Sequence, residues 1–159
     1  MRIAILTISD AASRGDRVDS SGDSIVAWAE ARGAQVVERD LVPDDTARIV
    51  PVLLAWCDRD MADLVLTTGG TGLSPRDMTP EATRAVIERE APGIAERLRV
   101  TSMERFPRAA LSRGLAGVRH RSLVVNLPGS PGGVRDALAA LDPIVDHAVE
   151  ILRGIPTDH

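Results

Sequence analysis

The sequence has 159 residues, 44% of them hydrophobic, a size and composition that suit one domain with a sizeable core and predict no second domain. The net charge of −4 and pI near 5.4 exclude a nucleic-acid groove, which needs a basic surface to displace counterions. All 19 basic residues are Arg, which excludes a P-loop lysine and Schiff-base chemistry, and an acidic chain that handles phosphate needs a divalent cation to offset the repulsion.

The single Cys57 closes an apolar helical pattern and is expected to be a buried structural thiol in a reducing compartment. Residues 1–8 are too short for a secretory signal, and no stretch reaches the roughly 18 apolar residues of a membrane span. The expectation is a cytoplasmic protein with neither membrane nor nucleic acid as partner.

In chain order, Arg2 to Ile8 is a near-continuous apolar run, the pattern of a central strand covered on both faces. Ser9-Asp10 ends it. The polar stretch to Gly22, with Asp16, Asp19, Ser20 and Ser21, reads as a loop at the strand's C-terminal end, either plainly solvated or on the ligand edge of an open α/β sheet. From Asp23 a helical pattern runs through Ile25, Trp28, Ala29 and Arg32 to a stop at Gly33. Residues 34–41 alternate, which predicts a strand near the sheet's edge. Ile49, Val52, Leu53 and Trp56 then recur at helical spacing, with Asp44 or Asp45 as the expected N-cap and Pro51 predicting a late start or a kink.

Residues 62–66 form a second buried run, which leads into Thr67-Thr68-Gly69-Gly70-Thr71-Gly72-Leu73-Ser74-Pro75-Arg76-Asp77. Its glycines permit positive φ and close approach to a ligand. Successive N–H groups can nest an anion there, and the hydroxyls of Thr67, Thr68, Thr71 and Ser74 add donors. The stretch is neither a P-loop nor a dinucleotide fingerprint, and on pattern alone it is equally a tight strand-to-helix connection. Thr79-Pro80-Glu81 starts a helix with Thr79 as N-cap, Pro92-Gly93 breaks it, and a second helix through Ile94, Leu98 and Met103 follows.

Residues 108–121 are weakly patterned and predict only a short strand or turn. Ser122 to Leu127 is another buried strand. It ends in Pro128-Gly129-Ser130-Pro131, with Ser130 as N-cap of a long helix through Val134, Leu138, Leu141, Val145, Ala148 and Leu152 that Asp142-Pro143 would split. Four strands alternating with helices predict an α/β fold: a three-layer sandwich with a central, mostly parallel sheet, in a single domain over residues 1–159.

Turns after parallel strands gather at one edge, so Ser9-Asp10, Asp44, the 69–77 loop and the 126–130 loop are expected to converge. Two phosphate-cradling turns with acids at Asp44 and Asp77 suit a phosphate substrate and a metal held between carboxylate and phosphate oxygens. Each acid has an ordinary alternative, Asp44 as a helix cap and Asp77 as a cap or the partner of Arg76. His120, His147 and His159 lie apart in sequence and offer no zinc site, and no serine-hydrolase motif occurs.

The run Thr67-Thr68-Gly69-Gly70-Thr71-Gly72, followed by Arg76-Asp77-Met78-Thr79-Pro80-Glu81-Ala82-Thr83 and by Asn126-Leu127-Pro128-Gly129-Ser130-Pro131, resembles the molybdenum-cofactor biosynthesis family typified by MogA and MoaB. The likeness extends to Ser9-Asp10, Gly15, Asp19, Ser21, Gly22 and Pro43-Asp44, in the family's order. It implies a molybdopterin adenylyltransferase, which uses Mg-ATP to adenylylate the terminal phosphate of molybdopterin and releases pyrophosphate. The alternative is a non-catalytic, molybdopterin-binding MoaB-like protein of the same pathway.

By the same likeness Asp44 and Asp77 are the catalytic acids tied to Mg²⁺, and Thr68, Gly69, Gly70, Thr71, Gly72 and Ser74 form a substrate loop. Asn126, Pro128, Gly129 and Ser130 form a second one, while Ser9, Asp10, Asp19, Ser21 and Gly22 belong to a polar segment of the same cleft. A homotrimer, with the molybdate-insertion enzyme as partner, is also implied. A phosphate monoester attacking the α-phosphorus of ATP brings two anions together, so positioning and charge neutralisation are the catalytic tools and no protein nucleophile is needed. Arg76 is either a phosphate clamp or half of a surface ion pair.

Overall fold

The apolar run at the start of the chain forms β1 (Arg2–Ile8), buried from Ile3 onward because both of its faces are covered. A computed structural model describes residues 1–157, so His159 lies outside the described residues. β1 pairs in parallel with β2 (Gln35–Val42) and with β3 (Leu64–Thr68), and β3 pairs in parallel with β6 (Ser122–Leu127). Antiparallel β5 (Ala116–Arg119) and β4 (Arg89–Glu90) complete a six-stranded sheet in the order β2-β1-β3-β6-β5-β4.

Period-two alternation sorts the strand side chains into two cores. Ile3, Ile5, Leu64, Leu66, Leu123 and Val125 face α2 (Ser20–Ala31), α5 (Pro92–Met103) and α6 (Pro131–Arg153). Ala4, Leu6, Ile8, Val65 and Val124 face α3 (Thr46–Asp58) and α4 (Thr79–Val86). The result is the expected three-layer α/β sandwich with a mostly parallel sheet, and β2 lies at its edge as the alternation of its sequence requires. Cys57 is buried in the second core, and burial pushes its thiol up to about 11, which makes it a poor nucleophile. Among the described residues no helix is long and apolar enough to cross a membrane.

Several local readings are corrected. The polar stretch after β1 is not all loop: Ser9 caps a short α1 (Asp10–Ser13), and α2 starts at Ser20 because the Asp19 carboxylate accepts the Gly22 N–H (2.9 Å). Of the two candidate caps for α3, it is Asp45 that serves, as one of the expected pair, accepting the Ala47 N–H at 2.9 Å. Neither Pro51 nor Pro143 breaks its helix. The carbonyl each proline deprives of a donor, on Ala47 and Ala139, belongs to an exposed residue, where solvent can satisfy it. Residues 108–121 resolve into a 3-10 turn (Pro107–Leu111) and β5, and the two-residue β4 is too short to leave a sequence pattern.

Asn126, near the end of β6, ties the sheet to its neighbours. Its Nδ2 donates to Thr67 Oγ1 and Thr83 Oγ1, both at 2.9 Å, and its Oδ1 accepts the Leu115 N–H at 3.2 Å. All four residues are buried. Asn126→Ala leaves these groups short of partners and is expected to lower unfolding free energy by about 2–4 kcal/mol, read from chemical denaturation. An unchanged midpoint would contradict the network's role.

Candidate active site at the carboxyl edge of the sheet

The carboxyl ends of β1, β3 and β6 are neighbours, and the segments that leave them wall one cleft. Thr68 Oγ1 donates to the Pro128 carbonyl (2.6 Å) and the Gly69 N–H to the Leu127 carbonyl (3.3 Å), which stitches the glycine loop to the loop after β6. The two backbones approach so closely that a Cβ on Gly129 would lie 3.2 Å from the Gly69 Cα.

Gly69 and Gly70 have φ of 98° and 62°, and a Cβ on Gly70 would overlap Asp44 Oδ1 and Thr79 Oγ1. Thr79, expected as a helix cap, instead donates its hydroxyl to the Gly69 carbonyl (2.9 Å) and its N–H to the Gly70 carbonyl (3.1 Å). Arg113 gives its N–H to the Thr71 carbonyl (2.8 Å) and its Nε to the Gly72 carbonyl (2.7 Å). With four successive carbonyls held from behind, the N–H groups of Gly70, Thr71, Gly72 and Leu73 are given to no acceptor among the described residues. Such a row of amides is an anion nest.

Three acids border it. Asp77 turns back onto its own loop, accepting the Ser74 N–H at Oδ2 (2.9 Å). Asp10 accepts the Asp44 N–H at Oδ1 (3.0 Å) and is gripped by Arg76 through Nε (3.0 Å) and Nη2 (2.9 Å), a pairing that holds its carboxyl below the usual range. Arg76 is therefore one half of an ion pair with Asp10. Asp44 is released from capping by Asp45, and its buried Oδ1 has no hydrogen-bond partner. Burial, then the charges of Asp10 and Asp77, raise its pKa to about 6.

Other residues named from the sequence shape the walls through their own structure. Ser9 accepts the Ala12 N–H (3.2 Å), and Ser130 caps α6 by accepting the Gly133 N–H (3.1 Å). Asp19 caps α2, accepts the Thr7 hydroxyl (2.8 Å) and the Ser21 hydroxyl (3.3 Å), and pairs with Arg39 (2.7 Å). A side chain on Gly22 would overlap the Asp19 carboxylate. The Asn126 amide is engaged inside the protein, as described above. Ser74 offers its Oγ to the Arg76 N–H (3.3 Å).

The cleft has two compartments. One, of about 630 Å³, lies between the glycine loop, Asp77 and a wall of α5 and the 3-10 turn carrying Arg99, Arg105, Phe106 and Arg108. The other, of about 310 Å³, lies over the end of β1, with Ser9, Asp19, Ser21, Asp44 and Thr68 around it. Gly70, Gly129 and Ser130 line both, so the compartments meet at the nest. Sequence reasoning missed the arginine wall and Arg113, because residues 108–121 are only weakly patterned and the period that marks α5 does not show that Arg99 lines the cleft. The signal available was the density of Arg between 97 and 121.

No group of three His, Cys, Asp or Glu side chains that could hold a metal ion occurs among the described residues. An orphaned, buried carboxylate oxygen on Asp44, with Asp77 across the loop, nonetheless fits a hard cation such as Mg²⁺, which is commonly held by one or two carboxylates and completed by substrate phosphates and water.

The mostly parallel α/β sheet carries at its carboxyl edge a row of free amides and two adjoining compartments, with room for two ligands. A family model described as a probable molybdopterin binding domain matches residues 4–147, and the chain belongs to that family. A Helicobacter pylori (strain J99) protein named molybdopterin adenylyltransferase is 40% identical over 156 residues, covering 97% of this chain and 89% of that one. The Escherichia coli (strain K12) protein of the same name is 39% identical over 140 residues, 87% of this chain and 72% of that one. The crystal structure of the molybdopterin biosynthesis enzyme MoaB from Thermus thermophilus superposes with a TM-score of 0.92 at 48% identity, with 99% of each chain covered.

Asp44 also makes a stability prediction. Its folded pKa lies above its unfolded value, so the folded state is penalised as pH rises through about 6, and the penalty is complete above that pH. Asp44→Asn removes it and is expected to stabilise the protein by about 1–2 kcal/mol at pH 8, allowing for solvent screening, with the gain vanishing near pH 4. Denaturation midpoints that coincide at pH 8 would contradict this.

Proposed function

We propose that the chain is a molybdopterin adenylyltransferase of molybdenum-cofactor biosynthesis, transferring AMP from Mg-ATP to the terminal phosphate of molybdopterin. The observation that carries the reading is the meeting of two compartments at one anion nest beside a carboxylate with an unsatisfied oxygen. The names of the bacterial relatives support it. A terminal phosphate oxygen of molybdopterin attacks the α-phosphorus of ATP, the bond to the β-phosphate oxygen breaks, and pyrophosphate leaves.

The chain's own share is positioning and charge neutralisation. The amides of residues 70–73 orient and neutralise phosphate oxygens, and the arginine wall offers further cationic donors to anionic groups. Asp44 and Asp77 would hold Mg²⁺, which when bound neutralises charge developing on the phosphates. A side-chain nucleophile is not required, consistent with the burial of Cys57 and the absence of Lys from the sequence. On the family likeness the protein works as one domain over residues 1–159, as a cytoplasmic homotrimer that passes adenylylated pterin to a molybdate-insertion enzyme.

Incubation with molybdopterin, labelled ATP and Mg²⁺ is expected to give adenylylated pterin and pyrophosphate in equal amounts. Molybdopterin binding without that product would favour the non-catalytic MoaB-like alternative. Because Asp44 must be ionised to hold a cation, kcat/KM is expected to rise between pH 5 and 7 with an apparent pKa of about 6. Asp77→Asn is expected to lower turnover by roughly 100-fold with an unchanged circular dichroism spectrum. Undiminished turnover in that variant would remove Asp77 from the mechanism.

A further inference from the structure

Arg113 stands outside every helix and strand, between the 3-10 turn and β5, yet it gathers groups from both ends of the loop at residues 71–77. Its backbone N–H reaches the Thr71 carbonyl (2.8 Å), its Nε the Gly72 carbonyl (2.7 Å) and its Nη2 the Asp77 carbonyl. Glu81, in the first turn of α4, accepts from Nη1 and Nη2 and fixes the plane of the guanidinium. No other side chain donates to the Gly72 or Asp77 carbonyl among the described residues.

A trans peptide is planar, and its N–H points opposite its C=O. The carbonyls of Gly69 and Gly70, held by Thr79, therefore set the directions of the Gly70 and Thr71 amides. The carbonyls of Thr71 and Gly72, held by Arg113, set those of Gly72 and Leu73. The bond to the Asp77 carbonyl fixes the backbone from which that carboxylate projects. Thr79 is fully buried and locks the half of the nest next to β3, whereas the other half depends on one arginine and one glutamate.

We propose that Arg113, oriented by Glu81, is a positioning residue for the reaction. Its backbone N–H sets the Gly72 amide, while its guanidinium aims the Leu73 amide at the substrate phosphate and fixes the backbone that carries the Asp77 carboxylate, without touching substrate. The role rests on the adenylyltransferase reading for its effect on turnover, but its effect on anion binding can be measured separately. The guanidinium serves the Gly72 and Asp77 carbonyls and the Glu81 carboxylate at once because its donors form a rigid planar fork, which an ammonium cannot reproduce.

The test pairs kinetics with an amide-resolved titration of ¹⁵N-labelled protein by inorganic pyrophosphate. In the wild type, pyrophosphate is expected to shift the Gly72 and Leu73 amide resonances. In Arg113→Met its affinity should fall by about 10-fold and kcat by about 10-fold or more, at a temperature where the variant is fully folded. Arg113→Lys should retain the fold and the charge yet restore neither quantity. Glu81→Gln should fall between Arg113→Met and the wild type in both, and should carry the test together with Arg113→Lys if Arg113→Met does not fold.

Wild-type affinity and turnover in Arg113→Met, or full rescue by Lys, would overturn the positioning role. Wild-type protein that binds pyrophosphate at these amides but forms no adenylylated pterin would defeat the adenylyltransferase reading alone. Normal wild-type turnover with an unaltered Arg113→Met would defeat the positioning role alone.

Discussion

Four consecutive carbonyls of the glycine loop are held from the protein side, and the rest of the site depends on that constraint. A peptide whose oxygen is tied down presents its N–H on the opposite side, so the loop faces the cleft with donors only. The ties come from outside the glycine turn. Thr79 belongs to the helix that packs on one face of the sheet, and Arg113 to the segment that leads into its antiparallel edge. The fold therefore has to be complete before the nest exists, which links the packing of two cores to the binding of an anion.

Against this donor surface the protein sets a cluster of acids. Asp10 is neutralised by Arg76, and Asp77 is hydrogen-bonded to its own loop, whereas Asp44 has an oxygen with no partner and a pKa raised by burial and by its acidic neighbours. A carboxylate kept in such a place works against stability, and it persists where function requires it. The absence of Lys from the chain points the same way. Charge neutralisation must come from Arg, from backbone amides and from a cation that the acids would hold.

Most of the layered fold was legible because strands buried on both faces leave continuous apolar runs, as β1 and β6 do, and because α6 has a long apolar period with Ser130 at its start. The glycine loop and Asp44 were legible as chemistry but not as geometry. Nothing local distinguishes Asp44 from Asp45, and only the fold decides which one caps α3 and which one is left facing the cleft. The wall with Arg105, Phe106 and Arg108 and the Arg113 latch were not legible. The wall is fixed by packing of the 3-10 turn on α5 and by the Arg105–Asp136 pair, Arg113 by the loop and α4, and the short 3-10 turn and β5 carry no period of their own. The prolines misled for a related reason, since propensity cannot tell whether the carbonyl they deprive faces solvent.

The claim that most needs a direct measurement is the location of the phosphates. A crystal structure of the protein with AMP and Mg²⁺ should place the α-phosphate within hydrogen-bond distance of the amides of residues 70–73, with the cation on Asp44. A phosphate bound instead in the surface groove of Arg32 and Arg135, with the glycine-loop amides facing only solvent, would contradict the account.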